Sequence, residues 1–230
     1  MQAVFFDLFQ TLIYYDPSRE EIIAGALREY GISVEPALLT RPLEAADQFM
    51  YRELVVRPMG IRPANERIAL YLKHHELMFD KAGLTVEPSI IPNIVKRLQE
   101  ATTSYKLFDD TLPALKELKA LGMILGLISN MDSDMSEQLD KMGIGAFLDV
   151  VMTSRIADAM KPSREIFEAA LNKAGVKANE AIYVGDQYEI DVKGAREAGM
   201  RAILIDRTDA HPEIVDCPRI RSLTEIKNYL

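Results

Sequence analysis

The 230-residue chain has a single cysteine, Cys217, so no disulfide can form within it. That favours a reducing compartment, with Cys217 a structural or surface thiol. No apolar run is long enough to span a bilayer, and the longest, around Met123–Ile128, falls far short. Residues 1–6 carry no basic region and their apolar run breaks at Asp7, so no signal peptide is expected. No basic cluster offsets the net charge of −8, which argues against nucleic acid or an anionic membrane as partner. Internal repeats and low-complexity segments are also missing. The expectation is a cytoplasmic protein with a small-molecule partner, and the sequence leaves its oligomeric state open. At 48% hydrophobic and 27% charged, the chain can bury a sizeable core.

Short, nearly continuous apolar runs recur at Ala3–Phe6, Met123–Ile128, Asp149–Met152, Ala181–Val184 and Arg201–Ile205. Such runs predict buried parallel strands. Helical patterns lie between them. Leu112, Leu115, Leu118 and Leu121 follow Asp110 as an N-cap and stop at Gly122. A second pattern starts at Ile166 and ends near Gly175, and a third closes at Gly199. Alternating strands and helices predict an α/β fold, a parallel sheet with helices on both faces. Residues from about Asp16 to Leu98 show helical periodicity and no convincing strand. The expected organisation is therefore a core of residues 1–15 and 100–230 with an all-helical insert over 16–99. Linkers at Tyr14–Ser18 and Ala101–Lys106 would join the two.

Ligands in α/β sheets bind beyond the carboxyl ends of the strands. There the sequence places Asp7, Ser129 and Asp186, with Asp191 five residues on and Lys161 at a helix entry. A carboxylate can serve as a nucleophile, and two more can hold Mg²⁺. A serine hydroxyl can hold phosphate oxygens, and a lysine can neutralise a transferring phosphoryl group. Each residue alone has a plain structural reading, as a cap or a turn.

Taken in order, FFDLFQTLI, LISN, MKPSREIF and VGDQYEID resemble the four motifs of the haloacid dehalogenase superfamily. The resemblance covers nearly the whole chain and implies a Rossmann-like core with an inserted helical cap. It also implies that Asp7 is the nucleophile and a Mg²⁺ ligand, together with the carbonyl of Phe9, Asp186 and Asp191. Ser129 and Lys161 would bind the phosphoryl group, with Asn130 a candidate for the same role, and Thr11 would fix the nucleophile loop.

The family's phosphatases usually read Asp-x-Asp-Gly-Thr, but this chain reads Asp7-Leu8-Phe9-Gln10-Thr11. Phe9 cannot protonate a departing alkoxide or activate water, a contribution of about 10²–10⁴-fold. The family's 2-haloacid dehalogenases carry an aromatic residue there, since halide leaves without a proton. They lack the metal-binding Gly-Asp that this chain keeps as Gly185-Asp186. The insert has no clear counterpart of the dehalogenases' substrate-binding arginine, though Arg41 or Arg52 could serve. The expectation is a Mg²⁺-dependent phosphatase-like hydrolase acting on a small phosphate ester, weak or specialised. A 2-haloacid dehalogenase and a non-catalytic phosphate or metabolite binder are the alternatives. Tyr14, Tyr15 and Asp16 follow the nucleophile loop, the tyrosines as hinge packing. Adjacent His74 and His75 are expected one exposed and one partly buried, and Asp132 and Asp134 are expected to cap the next helix.

Overall fold

A computed structural model describes residues 1–57, 59–102, 104–131 and 135–230. The chain divides into two compact units, Met1–Tyr14 with Lys106–Leu230, and Tyr15–Tyr105.

In chain order, β1 (Ala3–Phe6) leads through a loop beginning at Asp7 to β2 (Ile13–Asp16). Helices α1 (Arg19–Arg28), α2 (Thr40–Val56), α3 (Ala64–Lys81) and α4 (Ile91–Glu100) follow, then β3 (Ser104–Leu107) and α5 (Thr111–Ala120). Next come β4 (Ile124–Ser129), α6 (Ser136–Lys141), β5 (Val150–Thr153), α7 (Ser154–Ala157) and α8 (Arg164–Ala174). Then come β6 (Ala181–Gly185), a π-helix at Tyr188–Val192, α9 (Lys193–Glu197), β7 (Arg201–Ile205), β8 (Arg219–Ile220) and a final 3-10 helix at Leu223–Tyr229.

Among the described residues the main sheet has six strands in the order β5-β4-β1-β6-β7-β8, all paired in parallel. The α/β fold with helices around a parallel sheet is as expected. The central strand β1 is fully buried, which matches its unbroken apolar sequence. Phe6 lies beside Leu127 on one side and Val184 on the other, so β4, β1 and β6 end at one edge. Gly126 matters to this packing, because a Cβ there would sit 2.3 Å from the Phe5 ring.

The helical unit has its own core, in which Ile23, Leu27, Leu39, Leu43, Met78 and Ile94 meet. Ser18 caps α1 and closes a capping box with Glu21. Two strands absent from the sequence reading, β2 and β3, pair with each other where the chain passes between the units. Both are short, and residues far apart in sequence complete them, so neither has a local signature. Tyr14 packs on Phe108 at 5.0 Å and Tyr15 on Tyr105 at 5.5 Å. The two-residue strand β8 was likewise beyond the reach of an apolar-run pattern.

Asp110 stands at the N-cap of α5 without capping it. Its carboxylate instead accepts from Arg207, Ser222 Oγ and Leu223 N. Asp132 and Asp134, expected as caps, lie outside the described residues, and α6 begins at Ser136.

Candidate active site

Asp7 extends β1 by one residue, its N–H donating to Val184 O at 2.9 Å. The loop behind it is tight: Leu12 N and Ile13 N both donate to Leu8 O, at 2.9 and 3.0 Å. Gln10 takes a left-handed backbone, φ 60, in the position where the family usually has glycine. A side chain there is strained by about 1 kcal/mol. Thr11 is fully buried, and its Oγ1 has no hydrogen-bond partner among the described residues.

The loop is also braced from outside. Arg207 Nη2 donates to Thr11 O at 2.8 Å while the guanidinium grips both oxygens of Asp110. Thr111 Oγ1 donates to Leu12 O at 2.7 Å. Sequence reading missed this brace, since its members come from three distant segments.

Lys161 lies at the centre of the site and is 4% exposed. Its ammonium donates to Asp7 Oδ1 at 2.5 Å, Asp191 Oδ1 at 2.7 Å and Tyr183 OH at 2.9 Å. Asn130, expected at the substrate, has its amide committed to the Lys161 backbone. Nδ2 donates to Lys161 O at 3.0 Å, and Oδ1 accepts from Lys161 N at 2.6 Å. It thus ties the end of β4 to the segment carrying the lysine. Ser129, buried, is the last residue of β4 rather than the first beyond it.

The turn after β6 brings Asp186 and Asp191 back toward Asp7. Asp191 is 1% exposed, and its Oδ2 accepts from Gln187 N at 3.0 Å. Gly185 is required for this approach, because a Cβ there would stand 2.4 Å from the Asp191 carboxylate. Carboxylate oxygens of Asp7, Asp186 and Asp191 all lie within 4.8 Å of one another. Among the described residues, no side chain hydrogen-bonds Asp186.

Three carboxylates against one ammonium leave the cluster with surplus negative charge. Burial, then the charge on Asp191, drives the Asp7 carboxyl up to about 6 despite Lys161. Burial and the charges on Asp7 and Asp191 push Asp186 well above the usual carboxylate range. Burial would lower the Lys161 ammonium, but Asp191 and Asp7 outweigh it and hold the group above its ordinary value. A hard divalent cation with oxygen ligands fits this donor set, and Mg²⁺ is such an ion.

His74 and His75 are both buried, at 6% and 4% exposed, which corrects the expectation for the pair. Each ring finds a partner within the helical unit: His74 Nε2 reaches Asp47 Oδ1 at 2.8 Å, and His75 Nδ1 reaches Tyr71 O at 2.8 Å. Those partners offset part of the cost of burial, although His75 Nε2 is buried with no hydrogen-bond partner among the described residues. Arg41 and Arg52 lie exposed on α2. Cys217 is half-buried, with its thiol pushed up by burial and by Asp216. A thiol so shifted is a poor nucleophile.

Residues 1–199 match the haloacid dehalogenase-like hydrolase family. A glyceraldehyde 3-phosphate phosphatase of Methanopyrus kandleri is 31% identical, over 90% of this chain and 84% of its own. A ribulose-1,5-bisphosphate 5-phosphatase of Halopiger xanaduensis is 27% identical, over 90% and 85%. Among solved structures, a 2-haloacid dehalogenase of Pseudomonas syringae superposes with a TM-score of 0.55 at 25% identity, over 99% of this chain and 97% of its own. The chain therefore belongs to the haloacid dehalogenase-like hydrolases.

Proposed function

We propose that this chain is a Mg²⁺-dependent phosphatase of a small phosphorylated metabolite, acting through Asp7 as nucleophile. The observation that carries the reading is the surplus of carboxylates around Lys161, Asp7 and Asp191 buried and Asp186 half-buried, with ligand oxygens within 4.8 Å of one another. Two similar proteins named as phosphatases of sugar phosphates support it, as does retention of Gly185-Asp186 and Asp191. Asp7, Asp186, Asp191 and the Phe9 carbonyl would hold the metal. Bound Mg²⁺ would offset repulsion between the carboxylates and an incoming phosphate and polarise the phosphoryl group.

An Asp7 carboxylate oxygen attacks phosphorus, forming an aspartyl phosphate as the ester P–O bond breaks and its electron pair leaves on the alkoxide. Water then attacks phosphorus as the P–O bond to Asp7 breaks, its proton passing to bulk water, so that inorganic phosphate leaves and the Asp7 carboxylate is restored. Lys161 holds the attacking carboxylate in place and supplies the positive charge beside it. The Ser129 hydroxyl at the end of β4 is the donor for a phosphoryl oxygen. Phe9 gives the departing alkoxide no proton, so turnover favours esters whose leaving group is already a weak base.

Phe9 itself favours a second reading, dehalogenation, in which no proton is needed. The acidic cluster opposes it, because metal-free carboxylates repel a haloacid. Assays with p-nitrophenyl phosphate and with a 2-haloacid, each with Mg²⁺ and with a chelator, separate the two. Nitrophenol release that requires Mg²⁺ is expected. Halide release that survives chelation would establish the dehalogenase, and phosphate binding without turnover would mark a non-catalytic binder.

A further inference from the structure

We infer that the Tyr183 hydroxyl is a positioning group for Lys161 and Asp191, and that the reaction depends on it although it never meets the substrate. The inference rests on the reading of Lys161 and Asp7 as catalytic. Tyr183 sits in the middle of β6 and is fully buried. Its hydroxyl lies 2.9 Å from Lys161 Nζ, 3.0 Å from Asp191 Oδ1 and 3.2 Å from Ile128 O.

The donor inventory fixes the directions. An ammonium has three protons and no acceptor, and Lys161 has one acceptor for each: Asp7, Asp191 and Tyr183. The phenol therefore accepts from Lys161. Its own proton goes to Asp191 Oδ1 or to Ile128 O. One hydroxyl thus connects the end of β4 just before Ser129, the central lysine and the fourth-motif aspartate.

The ring that carries the hydroxyl has little freedom. It meets Phe167 edge-on, with centroids 5.2 Å apart at 82°. In the sheet it stands in register with Phe5, whose ring covers Gly126. A hydroxyl on so rigid a mount fixes the ammonium as a neutral third acceptor. Without it, Lys161 has only the two carboxylates and is drawn toward them, away from the third point that sets its height. Misplacing a catalytic group by a fraction of an ångström costs rate, while binding made by other groups persists.

Steady-state kinetics of Tyr183→Phe with p-nitrophenyl phosphate and saturating Mg²⁺ tests this, beside wild type and Asp7→Asn. The ring is kept and one oxygen removed. The expected result is a roughly tenfold fall in kcat with KM within twofold of wild type, at temperatures where circular dichroism shows all proteins folded. As an independent check, Phe167→Leu loosens the mount while keeping the hydroxyl and should lower kcat in the same direction by a smaller factor. A wild-type kcat in Tyr183→Phe, or a loss confined to KM, would overturn the inference while leaving the function intact. An active Asp7→Asn, or an inactive wild type, would instead overturn the functional reading.

Discussion

The α/β unit buries Lys161 among Asp7, Asp186 and Asp191, whereas the helical unit buries Asp47 between Arg19 and His74. Arg19 holds Asp47 with both terminal nitrogens, at 3.1 and 2.5 Å. Burial pushes the Asp47 carboxyl up, but Arg19 and His74 together bring it down to about 2. Its negative charge is fully answered. In the α/β unit the carboxyls of Asp7 and Asp186 move the other way, because burial raises both and one ammonium cannot offset it for three acids. Buried charge is therefore not in itself the mark of a site. An uncompensated buried charge is, since it has no structural use and calls for a ligand of opposite sign.

Substitutions in the two clusters should differ in kind. The largest effect is expected for Asp7→Asn, which should lower kcat with p-nitrophenyl phosphate by about 10⁴-fold or more. Nitrophenol release at even one per cent of the wild-type rate, on the order of 10² above that expectation, would remove Asp7 as nucleophile. Next, Phe9→Asp adds an acid to the unbalanced cluster. It should raise turnover of alkyl phosphates by up to about 10²-fold relative to nitrophenyl phosphate, as a leaving-group series would show. A fall for every substrate would mean that Phe9 packs against the substrate or that another acid already serves.

In the balanced cluster the effect should be on stability. Asp47→Asn leaves Arg19 without its counter-charge and His74 without its carboxylate partner, and should cost about 2 kcal/mol, read from the urea midpoint. The figure is reduced because the Arg19 side chain is 35% exposed. Asp186→Asn should not lower the metal-free midpoint and should raise it slightly, because it relieves like-charge crowding. Equal losses for both variants would erase the contrast.

Acid should also separate the units. His75 is held down to about 4, mainly by burial, so the unfolded chain binds its proton first as pH falls below the ordinary histidine value. Asp47, at about 2, is protonated first in the unfolded chain below the ordinary aspartate value. Both losses fall on the helical unit, His75 between about pH 6.5 and 4 and Asp47 between about pH 4 and 2. Asp7 has the opposite sign in the metal-free protein: its raised carboxyl stabilises the fold as pH drops through about 6. Hydrogen-exchange protection factors at pH 7 and 4.5 should fall more in the helical unit than in the sheet. A uniform fall would contradict the assignment.

The sheet and most residues of the candidate site were legible because each rests on a local pattern. Apolar runs mark β1, β4, β5, β6 and β7, and Asp7, Ser129, Lys161 and Asp186 sit at element ends where chain order identifies them. The partners of those residues were not legible. Tyr183 is hidden because all but the hydroxyl oxygen of its side chain is an apolar ring that suits a buried strand. The available signal was that a tyrosine inside an aliphatic strand needs a partner for its hydroxyl. Arg207 was hidden because its carbonyl target, Thr11, is 196 residues away. The histidines misled for a related reason. Adjacent helix positions point in different directions, and it is the tertiary placement of Asp47 that gives the His74 ring its partner, while His75 uses the Tyr71 carbonyl of its own helix.

Isothermal titration calorimetry of Mg²⁺ into wild type, Asp186→Asn and Asp47→Asn tests the central claim most directly. It predicts one site on wild type, kept in Asp47→Asn and lost in Asp186→Asn, with nitrophenyl phosphate turnover following occupancy. Mg²⁺ binding of equal strength in Asp186→Asn would contradict it.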